Sequence, residues 1–196
     1  GEIDWTQVKA AGVDFAMLRL GFRGYGQGTM NLDKYFLANL SGASAAGIKV
    51  GVYFFSQAIT EDEAREEADY VINSLAATDV ELSYPIVFDE EPITDGNVAR
   101  TDDLTAAQFS ANALAFCQRV EQAGYTPMLY GNKHELAKLD LKGELAGYDV
   151  WYAEYGVSQP TGKFDFVMWQ YSDTGSIPGV VTSAGQVDLN IRFLVA

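Results

Sequence analysis

The residues with the most chemical potential lie in Tyr84-Pro-Ile-Val-Phe-Asp-Glu-Glu-Pro92, where an apolar run ends in three acids, Asp89, Glu90 and Glu91. Successive side chains of an extended chain point to opposite faces, so Asp89 and Glu91 share one face and Glu90 takes the other. Two carboxyls held together at the end of a buried strand do not ionise independently. Like charge and partial burial push one upward, which leaves a proton donor beside a permanent anion. Glycosidic bond cleavage needs such a pair: a proton for the leaving oxygen and negative charge for an oxocarbenium-like carbon. A solvated acidic loop is the plainer alternative, but three acids closing an apolar strand are costly unless used.

Aromatic residues supply a second signal. Tyr53, Phe55, Tyr130, Trp151, Tyr152, Tyr155, Trp169 and Tyr171 fall in or just after apolar runs. Sugar rings offer C–H faces to aromatic planes, so a cleft lined this way suits a glycan, while part of the set must simply fill the core. Tyr53, Tyr130, Trp151 and Tyr155 are the four expected to face a cleft. Asp188, in Gln-Val-Asp-Leu-Asn190, is either a third acid at a strand end or a turn cap. Arg19 sits in mid-strand, where a salt bridge inside a barrel is the favoured reading over substrate contact. His134 is expected on the surface at a helix start and Cys117 in the core. Asn39-Leu-Ser41 matches a glycosylation sequon, but it falls inside a predicted helix and reads as a chance match.

The 196 residues hold 13 Lys and Arg against 27 Asp and Glu, a formal charge of −14. That balance argues against a footprint for nucleic acid or an anionic membrane surface. One Cys and one His exclude an intramolecular disulfide, a Cys-based zinc site and a multi-His metal site. No stretch approaches the ~20 apolar residues of a membrane span, and no basic segment leads an apolar one as in a signal peptide. With 48% apolar and 13% aromatic residues, the chain can bury a sizeable core.

The elements that must position these residues follow from the apolar periodicity. Strands are predicted at Phe15–Leu20, Lys49–Phe55, Tyr84–Phe88, Thr126–Tyr130, Asp149–Tyr152, Phe166–Gln170 and Val187–Asn190. The first starts lie 34, 35 and 42 residues apart, enough for βα units. Thr60 with Glu63 forms a capping box for one helix, Thr105 with Gln108 opens another, and two more run from Asp33 to Ala46 and from Asp4 to near Gly12. Gly156, Pro160 and Gly162 forbid a long helix between 153 and 165. The last strands are therefore joined by loops, which permits antiparallel pairing. No Gly-rich phosphate loop follows any strand, and Gly21-Phe-Arg-Gly24 has the wrong spacing for a dinucleotide fingerprint. Polar and aromatic residues at the strand ends instead favour a single α/β barrel domain over residues 1–196.

Several segments, in this order, resemble glycoside hydrolase family 25, the Chalaropsis-type lysozymes or N-acetylmuramidases. They are Gly1-Glu-Ile-Asp-Trp-Thr-Gln-Val-Lys-Ala-Ala-Gly12, Phe15-Ala-Met-Leu-Arg19, Ala46-Gly-Ile-Lys-Val-Gly-Val-Tyr-Phe-Phe55, Asp89-x-Glu91, Met128-Leu-Tyr130, Trp151-Tyr-Ala-Glu-Tyr155, Trp169-Gln-Tyr171 and Val187-Asp-Leu-Asn190. The resemblance implies an irregular TIM-like β/α barrel of five βα units and three further strands. It implies hydrolysis of the β-1,4 bond between N-acetylmuramic acid and N-acetylglucosamine in peptidoglycan glycan strands. Glu91 is then the general acid, and Asp89 stabilises an oxazolinium ion formed by the substrate's acetamido group. Asp188 is a further acid of the site, Tyr53, Tyr130, Trp151 and Tyr155 line the groove, and no metal or organic cofactor is implied. Such substrate assistance removes the usual link between carboxylate separation and stereochemistry.

Members of the family begin with a strand reading roughly Asp-Val-Ser, whose Asp joins the acidic cluster; this chain starts just after it, so the first strand is expected to be missing. A location outside the cell or at the cell wall is implied, with no membrane insertion. Two other functions remain open: a non-catalytic glycan-binding barrel, and a chitinase-type glycosidase. For the latter, only Asp89 and Glu91 of the longer Asp-x-x-Asp-x-Asp-x-Glu run stand in register.

Overall fold

The computed structural model describes residues 1–93, 96–181 and 185–193. Its elements are α1 (Trp5–Ala10), β1 (Phe15–Arg23), β2 (Met30–Leu32), α2 (Phe36–Ala45), β3 (Lys49–Phe55), α3 (Glu61–Ala76) and β4 (Ile86–Asp89). They continue with α4 (Ala106–Gln122), β5 (Pro127–Asn132), α5 (Lys133–Leu136), β6 (Asp149–Ala153), β7 (Met168–Gly175) and β8 (Val187–Arg192).

The strands form one sheet in the order β2-β1-β3-β4-β5-β6-β7-β8. Neighbours from β1 and β3 through β7 run parallel, and β2 and β8 close the two edges antiparallel. Apart from the β2 hairpin, each new strand joins on the same side. A doubly wound sheet reverses its order at a switch point, so this sheet curls in one direction into a half-barrel. No pairing joins β8 to β1 or β2 among the described residues.

Each side chain's parity on its strand decides which side of the sheet it joins. Leu20, Val52, Phe54, Ile86, Phe88 and Leu129 pack outward with Ala68, Val71, Phe116 and Val120 of α3 and α4. Val87, Met128, Tyr130, Trp151 and Met168 form a separate cluster on the inner face. The helices start and stop where local chemistry dictates. Thr60 Oγ1 accepts from the Glu63 amide at 3.3 Å, and Glu63 reaches back to the Ile59 amide at 2.9 Å. Gly47 and Gly124 end α2 and α4 with φ of 68° and 85°, a conformation that other residues adopt at a cost.

Three details differ from the sequence reading. The eighth strand is β2, three residues folded back on β1 beyond a Gly-rich turn. Helices follow β1 (beyond β2), β3, β4 and β5, the last a single turn, so four βα units are seen among the described residues. Finally, β6 and β7 pair parallel although only a loop joins them, because residues 154–167 are long enough to cross back over the sheet.

A bulge in β1 matters for everything that follows. Arg19 pairs with Tyr53 and Gly21 with Phe54, which leaves Leu20 as the extra residue. Without it, Arg19 and Arg23 would share a face; with it they part. Arg23 is buried on the helix side, donating to Glu67 Oε1 at 2.8 Å. Arg19 and Phe22 come to the inner side, the guanidinium 5.7 Å from the ring centroid.

Candidate active site

The inner face carries its polar residues at the C-terminal ends of the strands. β4 delivers Asp89, and the chain continues to Glu91 on the same side. Asp89 is 5% exposed, and its Oδ1 has no hydrogen-bond partner among the described residues. Burial drives its carboxyl well above the usual range, the Glu91 charge adds to this, and the Arg19 guanidinium partly offsets it. Glu91 is also raised, first by burial and then by the charges of Glu135 and Asp188, against a hydrogen bond with Tyr130. Both carboxyls therefore hold protons more tightly than free ones do.

Glu90 points the other way, toward the helices. Burial lifts it to about 9, the Glu67 charge adds, and Lys138 opposes. With Glu91, Glu135 and Lys138 it lines a cavity of about 100 Å³ behind the site. Glu135 is 2% exposed, and one oxygen each of Glu90 and Glu135 is buried without a hydrogen-bond partner among the described residues.

The four aromatic residues singled out from the sequence all stand on the inner side. Trp151 meets Tyr130 edge-on at 4.6 Å and Tyr53 at 6.2 Å between centroids. Tyr130 and Trp151 are buried, Tyr53 is half-buried, and Tyr155 is 41% exposed. Tyr155 and Tyr53 are thus the two that present ring surface outward, while Tyr130 and Trp151 support them from below. Burial raises the Tyr53 and Tyr130 hydroxyls, and Tyr155 is pushed up to about 12 by burial and the Asp188 and Glu91 charges. Asp188 lies within β8 and not in a turn, exposed at the rim, its carboxyl raised by desolvation and then by Asp173.

Two amides missed in the sequence complete the wall. Gln170 Oε1 accepts from Tyr130 Oη at 2.8 Å and from Tyr155 Oη, and Asn190 Oδ1 accepts from Trp151 Nε1 at 2.8 Å. Their signal was a polar residue on the inward parity of an apolar strand. Arg19 forms the expected salt bridge, to Asp33 at 2.7 Å, yet remains 48% exposed. His134 is exposed beside Asn132, the cap of α5, and Cys117 is buried. Among the described residues no group of three or more His, Cys, Asp or Glu could hold a metal ion, and no helix is long and apolar enough to cross a membrane.

One-way strand winding thus sets paired acids and aromatic side chains at the strand ends of a curled α/β half-barrel. The chain matches the model for "Glycosyl hydrolases family 25" over residues 1–180, and it belongs to that family. It is 26% identical to the autolytic lysozyme of Clostridium acetobutylicum across its whole length, spanning 54% of that protein. The bacterial lysozyme of Streptomyces coelicolor has a similar solved structure, with 27% identity, a TM-score of 0.76, and coverage of 98% of this chain and 87% of that one. The modular autolysin LytC of Streptococcus pneumoniae, solved with a synthetic peptidoglycan ligand, has 25% identity and a TM-score of 0.77 over 97% of this chain and 43% of that one.

Proposed function

We propose that residues 1–196 are a catalytic domain that cleaves the β-1,4 bond after N-acetylmuramic acid in peptidoglycan, acting outside the cell or at the wall. The observation that carries this reading is the buried pair Asp89 and Glu91 at the mouth of the sheet, both raised above the usual carboxylate range. Glu91, the less buried and the one beside Tyr130, gives its proton to the leaving glycosidic oxygen as the C1–O bond breaks. The substrate's acetamido oxygen closes on C1, and Asp89, ionised when the coupled pair holds its single proton on Glu91, stabilises the positive charge that spreads onto the acetamido group. Water then opens the ring while Glu91 takes back a proton. Tyr53, Tyr155 and the rim acid Asp188 contact the sugars, and Tyr130 and Trp151 fix the groove wall.

In the same reading α1 belongs to a fifth βα unit. Its strand would lie along β1, whose outer edge is unpaired over Phe15–Arg19 among the described residues, and by the resemblance it carries another acid. The test of the activity is the chemistry of the new ends. Peptidoglycan fragments with N-acetylmuramic acid at the reducing end support it, and N-acetylglucosamine ends overturn it. Binding with no release of ends would favour a glycan-binding barrel.

A charge of −14 also sets a salt dependence. Intact walls carry anionic polymers that repel such a domain, so activity on walls is expected to rise with ionic strength as the screening length contracts toward ~10 Å at 0.1 M. Turnover measured from low to moderate salt checks this, and a monotonic fall contradicts it.

A further inference from the structure

The cleft opposes negative ligands. Asp89, Glu91 and Asp188 face it, and Asp173 adds its charge at the rim. Yet muramic acid differs from N-acetylglucosamine by a lactyl arm on O3, which is a carboxylate when free and the root of an acidic peptide when substituted. A glycan without that arm would suit an acidic cleft better, so tolerance of the arm requires an opposing charge.

Arg19 is placed to supply it. The bulge at Leu20 sets Arg19 on the inner face opposite Tyr53. Its charge acts on both Asp89 and Tyr53, so it is electrically part of the cleft. Asp33 Oδ2 accepts from Nε at 2.9 Å and from Nη2 at 2.7 Å, and Asp33 Oδ1 is itself held by the Tyr35 amide at 2.9 Å. These bonds fix the plane of the guanidinium and leave Nη1 without a hydrogen-bond partner among the described residues. A side chain 48% exposed, oriented on one side and open on the other, is preorganised for an oxygen acceptor.

We infer that Arg19 recognises the lactyl arm of the muramic residue and so sets the preference for muramic acid over N-acetylglucosamine. This rests on the muramidase reading above. The test uses glycan strands stripped of stem peptides, which carry free lactyl carboxylates, and the same strands after amidation, which removes that charge. The wild-type protein is expected to show a KM about tenfold lower on the carboxylate strands, the equivalent of one charge-assisted contact. Arg19→Gln should show equal KM on the two strands, with an unchanged circular dichroism spectrum as proof of folding. Arg19→Lys keeps the charge without the fork and should retain part of the preference.

A wild-type protein without preference, or an Arg19→Gln protein that keeps it, overturns the inference. Should Arg19→Gln not fold, a fully retained preference in Arg19→Lys overturns it and a reduced one supports it. If the wild type releases no reducing ends from either strand, the muramidase reading fails and the inference with it.

Discussion

Glu91→Gln is expected to cut the release of reducing ends by about 10²–10⁴-fold, the span that a positioned proton donor supplies. Gln keeps the volume and can still meet the Tyr130 hydroxyl, so KM and thermal midpoint should stay near wild type. Only the proton is lost. The same residue sets the alkaline limb of the activity profile, since turnover must fall as pH rises through the Glu91 pKa. Burial and the Glu135 and Asp188 charges put that limb above the usual carboxylate range. Initial rates and circular dichroism on the purified variant check the expectation; a rate within a few-fold of wild type removes Glu91 as the acid.

The protein should also be most stable near pH 5 and lose stability toward pH 9. Burial raises Glu67 to about 7, despite the Arg23 partner, and Glu90 to about 9, with Asp89 raised as well. A carboxyl raised by folding binds more protons in the folded chain than in the unfolded one, over the interval between its unfolded and folded pKa. Its stabilising effect is therefore full at the acid end and lost as pH climbs through that interval. For Glu67 alone the loss reaches roughly 3 kcal/mol, at about 1.4 kcal/mol per pKa unit. Asp33 and Glu63 work in the opposite sense, held down mainly by Tyr35 and Arg19 and by Arg100 and Ile59 against desolvation, and their contribution disappears only below about pH 4. Thermal midpoints measured from pH 4 to 9 decide it. A flat or rising series contradicts the expectation, and Glu90→Gln should flatten the descent.

Where periodicity and caps were strong, the sequence was readable. The run Lys49–Phe55 coincides with β3, and Thr60 and Thr105 cap α3 and α4 as their spacing predicts. Period-two alternation sets Asp89 and Glu91 apart from Glu90: Glu67 and Lys138 act on Glu90, whereas Glu91 and Arg19 act on Asp89 ahead of a smaller contribution from Glu90. What escaped is what depends on pairing. β2 is three residues long and carries no alternation of its own, so only its partner β1 makes it a strand. Residues 154–167 read only as a loop that permits antiparallel pairing, because nothing local reveals that they cross the sheet. Glu135 carries no local signal of burial, and only the packing of α5 against β5 buries it. Gln170 and Asn190 belong to apolar strands and gain meaning from Tyr130 and Trp151, tens of residues away.

The extra residue in β1 acts as a phase shifter. Downstream of Leu20 every side chain of the strand is set half a cycle from where plain alternation would leave it, so Phe22 meets the cleft and Arg23 meets Glu67. Loss of one residue there would exchange the two faces at a stroke, driving a phenyl ring into the ionic network under α3 and a guanidinium into the cleft. Gain of a residue would do the same. Substitution can alter the chemistry of this strand one face at a time, whereas a single change of length at this point would be read twice, once by the core and once by the cleft.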